Sequence, residues 1–229
     1  MKKAQSYSDK IISRLIFYFL GLFILTLGVA FSIKANLGVS PVSSVAYAAT
    51  CIWGIEIGIA TTVFQAILVV IQILLLGRDF KWINCMQIVV GSLFGSLTSL
   101  SVFILSFLPP AVTWWMQLLY LATSLVIMSF GIYLYVNADI MNLPIEGFTL
   151  TVAKLCKKDF PIVKIIVDCS MVIISGGVCL AFIKKFGSVG AGTLTIATFN
   201  GFLIGIWSKL LKKFKQKFLV PEIKEFKID

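Results

Sequence analysis

From Leu15 to Trp207 the chain passes through long apolar stretches separated by short polar punctuation. Leu15–Ile33, Ile57–Leu76, Ile83–Leu108, Trp114–Val136, Ile162–Ile183 and Gly190–Trp207 each run about 18 to 26 residues, and a helix needs roughly 20 to cross ~30 Å of hydrocarbon. None alternates between apolar and polar as a barrel strand would, so the pattern predicts α-helices. Six spans is the base reading.

Two shorter elements interrupt this series. After the first span come Asn36-Leu37-Gly38-Val39-Ser40-Pro41 and then Val42–Trp53, rich in Ser, Ala and Thr. After the fourth come Asp139–Pro144 and then Ile145–Ala153. A residue before proline is pushed to extended geometry, and proline suits the first helical turn, so each stretch reads as a break followed by a new helix. About a dozen residues at ~1.5 Å rise give roughly 18 Å, short of a bilayer, which favours re-entrant helices. Full crossing would instead give eight spans and parallel halves.

The two interruptions belong to a repeat. Shifted by 103 residues, Leu27-Gly28-Val29 falls on Phe130-Gly131-Ile132, Ala35-Asn36-Leu37 on Ala138-Asp139-Ile140, and Pro41-Val42 on Pro144-Ile145. Gln65 falls on Asp168, and Gln72 on Ser175. After three extra residues the shift becomes 106, and Gly91, Gly95 and Ser99 meet Ala197, Gly201 and Gly205. The expected fold is therefore all-α: about six transmembrane helices in two inverted three-span repeats, each with a proline-broken short helix after its first span. The predicted boundaries are an N-terminal tail (1–13), repeats at 14–108 and 112–208, and a basic tail at 209–229.

Composition agrees with the membrane class: of 229 residues 59% are hydrophobic and 13% charged, with mean hydropathy +1.00, against roughly 45–50% and 25% in soluble domains. The net charge of +10 suggests nucleic acid at first sight, but cytoplasmic loops collect Lys and Arg. With the N-terminus inside, seventeen of the twenty basic residues fall in internal segments, leaving Lys34, Lys184 and Lys185 outside. Both termini are expected in the cytoplasm, and no nucleic-acid partner is expected. Lys2, Lys3, Lys10 and Arg14 precede an apolar run too long for a signal peptide, so the first helix is read as retained. Cys51, Cys85, Cys156, Cys169 and Cys179 show no C-x-x-C spacing, and there is no histidine. No metal, cofactor or catalytic site is expected, and the chain is not read as an enzyme.

Broken helices leave backbone groups that lipid cannot satisfy, so they survive buried in protein or beside a wet cavity; a matched pair of them is a pointer to a transporter's binding site. The alternative is a pair of packed interfacial hairpins without a ligand. On the following span, Thr61, Gln65 and Gln72 form one polar stripe, and Asp168 and Ser175 form its match. An ionised aspartate in a span usually faces a cavity or a partner; Lys164, four residues earlier, is the rival partner. Glu146, in the first turn of the second short helix, corresponds to Ser43 and is also explained by the helix dipole. Asn36 and Asp139 suit turns and caps. Asn200 is the one polar side chain beside the second small-residue ladder able to reach a cavity. The substrate-binding candidates are Asn36, Ser43, Gln65, Gln72, Asp139, Glu146, Asp168 and Asn200. Both ladders are read as close helix packing, and Trp82, Trp114, Trp115 and Trp207 as an aromatic belt.

The strings ANLGVSP (35–41), NADIMNLPIEGF (137–148) and SVGAGTLTIATFNG (188–201) resemble the YczE/YyaS/YitT-type bacterial membrane proteins. Carrying the resemblance are Pro41, Glu146-Gly147 and Gly190-Ala191-Gly192-Thr193; the second half departs from it, with Ile140-Met141 where the first has Leu37-Gly38. It implies a multi-pass protein of the bacterial inner membrane. The expected function is a small secondary transporter or substrate-binding membrane subunit for a small molecule or ion, with an oligomer or accessory membrane partner left open. A non-transporting scaffold or regulator is the alternative.

Overall fold

Each long apolar run forms a helix. The computed structural model describes residues 2–158 and 160–212, and the side chains of residues 11–158 and 162–212. Its helices are α1 (Lys2–Ala35), α2 (Pro41–Trp53), α3 (Ile57–Leu76), α4 (Met86–Ser106), α5 (Trp114–Ala138), α6 (Pro144–Cys156), α7 (Phe160–Ile183) and α8 (Ala191–Leu210). Two short 3-10 turns lie between α3 and α4, and there is no strand among the described residues. Six helices, all but α2 and α6, are long and apolar enough to cross a membrane. This is a multi-pass membrane protein. The side chains of Lys2, Lys3 and Lys10, and the basic tail from residue 213 onward, lie outside what is described.

Local sequence sets the breaks. α1 and α5 end at Asn36 and Asp139, both in the left-handed region at φ +54° and +49°, which short polar side chains tolerate better than most. Extended Ser40 and Leu143 then lead into Pro41 and Pro144, each at the start of a 13-residue helix. Ser40 caps α2 by accepting from the Ser43 amide. α6 reaches Cys156, three residues past the expected Ala153, and stops at left-handed Lys157.

α1 and α5 cross antiparallel at the centre. Along α1, Arg14 donates to the Ala138 carbonyl (2.8 Å), Tyr18 packs on Tyr135, Ser124 donates to the Gly28 carbonyl (2.7 Å), and Phe31 packs on Tyr120. Successive α1 residues thus meet earlier and earlier α5 residues. The approach is backbone-close: a Cβ on Gly28 would lie 2.7 Å from the Met128 amide nitrogen, and one on Gly131 would overlap the Leu25 amide.

The other contacts come in pairs. α4 packs on α1 and α8 on α5; α7 packs on α2 and α3 on α6. Thr26 and Ser101 share a buried hydrogen bond (2.9 Å) between α1 and α4, while Trp207 donates to Ser129 (3.0 Å) between α8 and α5. Ser175 of α7 donates to Ser44 of α2 (2.9 Å); Gln72 of α3 reaches the first turn of α6, donating to the Pro144 carbonyl (3.1 Å) beside Gly147.

One pairing breaks this pattern. α3 and α4 pack through glycine: a Cβ on Gly58 would strike Ser99, one on Gly95 would strike Thr62, and one on Gly91 would meet the Gln65 Cβ at 2.9 Å. The expected counterpart, α7 against α8, is open. A Cβ added to Gly201 or Gly205 would meet nothing within 4 Å. The second small-residue ladder is therefore not a packed helix seam, contrary to expectation.

A last contact gives the G-x-G-T segment a structural role. The Gly192 amide donates to the Leu37 carbonyl (2.7 Å) and the Val39 amide to the Ser188 carbonyl (3.1 Å). Gly38, at φ +94°, lies against Gly190 with no room for a side chain on either. The loop after α1 and the start of α8 thus meet backbone to backbone.

Candidate functional site

The opening between α7 and α8 is a cavity of about 470 Å³, bounded also by α1, α4, α5, α6 and the start of α2. Its walls are largely apolar, including Leu25, Val29, Phe94, Met128 and Ile196. Its polar lining comprises Ser40, Ser43, Tyr135, Asn142, Glu146, Lys164, Asp168 and Asn200. Exposed Asn142 and Ile165 lie on the lining, so the cavity reaches the protein surface there.

Four of the eight candidates come together here. Ser43 and Glu146 occupy the first turns of α2 and α6, Asp168 lies on α7, and Asn200 lies on α8. Glu146 is half-buried, yet its Oε2 is shielded from solvent and has no hydrogen-bond partner. Asn200 Oδ1 is in the same state. The Tyr135 hydroxyl is set against the Glu146 carboxyl. Asp168 accepts from Lys164 Nζ at 2.7 Å, each side chain about a quarter exposed (25% and 26%). Both readings of Asp168 therefore hold together: it has Lys164 as partner, and the pair lines a cavity.

The other four lie elsewhere. Gln65 is buried in the α3–α4 seam, its Oε1 unpartnered, where glycine-close packing leaves no space for a cavity. Gln72 is tied to Pro144 and to Gln87 Oε1 (3.2 Å). Asn36 and Asp139 are exposed helix ends, and the Asp139 carbonyl accepts from Arg14. Tyr135 and Asn142 are cavity residues that sequence reasoning missed. Asn142 carried a signal, two residues before the second helix-starting proline; Tyr135, inside an apolar run, carried none.

The lining offers carboxylates, an ammonium, hydroxyls and amides around an apolar space. Among the described residues no cluster of His, Cys, Asp or Glu is able to hold a metal ion. No curated protein and no solved structure matches the chain. The profile of a family of unknown function (DUF6198) matches residues 12–209, nearly the whole membrane region, and the chain belongs to that family.

Proposed function

We propose that the protein is a small secondary transporter, or the substrate-binding membrane subunit of one, in the bacterial inner membrane with both termini cytoplasmic. On this reading it is built from two inverted repeats, 14–108 and 112–208, with α2 and α6 re-entrant, and is kin to the YczE/YyaS/YitT type on the motifs quoted above. Its ligand is a small molecule or ion held between the two broken segments.

The repeat reading is supported by reciprocal contacts. Under the shifts of 103 and 106 residues, the Gly28–Met128 contact maps onto Gly131–Leu25, Thr26–Ser101 onto Ser129–Trp207, and Ser44–Ser175 onto Gly147–Gln72. Mutual contact of equivalent residues is the mark of a two-fold relation. Because α1 and α5 are antiparallel, that axis runs across the helices, as inverted repeats require. Antiparallel α1 and α5 also need an odd number of crossings in moving from one to the other, which a re-entrant α2 provides and a spanning α2 does not.

The observation that carries the transport reading is the break in this symmetry between α3–α4 and α7–α8. α3 and α4 are closed on each other; their equivalents α7 and α8 stand apart around the cavity. Inverted repeats in unequal states are what alternating access demands, since exchanging the two states moves the opening to the other side. In the proposed orientation the cavity faces the cytoplasm, near the end of α5 and the start of α7. A static scaffold has no need of such inequality.

The test is a thermal-stability screen of purified protein against a metabolite library. A ligand that binds the folded form raises the apparent midpoint by mass action. At least one compound is expected to do so in the wild type and to lose its effect in Asp168→Asn. A library without effect in wild type favours the non-transporting scaffold.

A further inference from the structure

We infer that the cavity takes a small organic cation: a protonated amine carried on an apolar body. The inference rests on the binding-site reading above and adds the chemical class.

The polar groups of the cavity do not balance. Lys164, the one cation among the described lining residues, is engaged by Asp168 at 2.7 Å. Glu146, which has the Tyr135 hydroxyl and Lys164 near it, makes no ion pair of its own among the described residues, so the lining holds two carboxyls to one ammonium. The two shielded lining atoms without a hydrogen-bond partner, Glu146 Oε2 and Asn200 Oδ1, are both acceptors. A buried acceptor without a donor is unfavourable until a partner arrives, so a fitting ligand brings N–H donors. An ammonium brings several donors and a positive charge in one group, answering both the unmet acceptors and the surplus carboxyl. A carboxylate ligand would supply no donor and would add negative charge beside Glu146 and Asp168. An alcohol supplies one donor and no charge. The rest of the ligand is set by the walls: Leu25, Val29, Phe94, Met128 and Ile196 offer hydrocarbon, which favours an alkyl or aryl body over a sugar or a second charged group.

Thermal unfolding of the full-length protein in detergent tests this with head-group series on three bodies: phenylethyl, cyclohexylethyl and hexyl, each as amine, carboxylic acid and alcohol. In at least one series the amine is expected to bind about tenfold or more tightly than its alcohol and carboxylate analogues, read from the concentration dependence of the midpoint. Glu146→Gln keeps the size and loses the charge, and should abolish the amine's advantage. Asn200→Ala supplies a second reading in case the first variant folds poorly, and should weaken the amine severalfold. Preference for carboxylates or alcohols, or equal amine binding by wild type and Glu146→Gln, would overturn the cation assignment and leave the binding site standing. No response from any head group on any body would overturn the site itself.

Discussion

Gly28 of α1 lies so close to Met128 of α5 that a Cβ on the glycine would come within 2.7 Å of the methionine's amide nitrogen. Its counterpart Gly131 meets Leu25 in the same way. The neighbour in each case is backbone, which has no rotamer to yield, so the two helices would have to separate to admit a side chain. Overpacking of a tight core costs about 1–3 kcal/mol or more. Gly28→Val and Gly131→Val should each lower the thermal midpoint clearly and to a similar extent. Gly205→Ala, in open space, should be neutral or stabilise by up to ~1 kcal/mol through helix propensity. Equal tolerance at all three positions would contradict the antiparallel glycine crossing.

The Lys164–Asp168 pair spans one helical turn of α7 at 2.7 Å and lines the cavity. Asp168→Leu alone leaves an unpaired ammonium in a partly enclosed site, and Lys164→Met alone leaves an unpaired carboxylate. Each single variant should lose more stability than the double variant, since exposing one partner of a shielded pair costs more than removing both. A double-mutant cycle in chemical denaturation measures this. Simple additivity would show that the two charges act independently.

Topology offers a separate check. Six spans place Asp79 on the cytoplasmic side and Ala111 on the periplasmic side. Single cysteines at those positions, in a background with the five native cysteines replaced, should be labelled by an impermeant thiol reagent from the inside and the outside respectively. The opposite pattern would mean that α2 crosses the membrane and that eight spans are correct.

Much of the fold was legible because bilayer physics is severe. Six long apolar runs became six long helices, and Pro41 and Pro144 started helices where the restriction on proline geometry requires. Matching punctuation in the two halves is readable because glycine, proline and turn-forming Asn or Asp are placed by backbone demands; Asn36 and Asp139 each follow a helix in the left-handed region. The site was legible only in part. Gln65 and Asp168 stand at equivalent positions, yet one is sealed in a seam and the other lines a cavity. What separates them is what each helix packs against: α3 meets α4 through close-set glycines, whereas α7 and α8 are open to each other around the cavity. The same holds for the small-residue ladders: Gly95 and Gly201 read alike, and only one has a neighbour. Tyr135 escaped notice because its ring belongs to the apolar run while its hydroxyl belongs to the site.

The most direct test of the account is a pair of disulfides. Thr62 Cβ lies 3.3 Å from where a Cβ on Gly95 would stand, close to the roughly 3.5–4.5 Å that a disulfide spans. A Cβ on Gly95 also crowds the Gly58 carbonyl at 2.5 Å, so the seam has to widen slightly, and Thr62→Cys with Gly95→Cys, in the cysteine-free background, should then cross-link in the state described here. The equivalent pair, Ile165→Cys with Gly201→Cys, spans the open side and should cross-link only when α7 and α8 close. In membranes both pairs are expected to oxidise, each in its own variant. In the four-cysteine protein the first bond to form should block the second, because closure of one seam opens the other. Failure of the 165–201 pair to form under conditions that fully oxidise the 62–95 pair, or formation of both bonds in one molecule, would contradict alternation between the two halves.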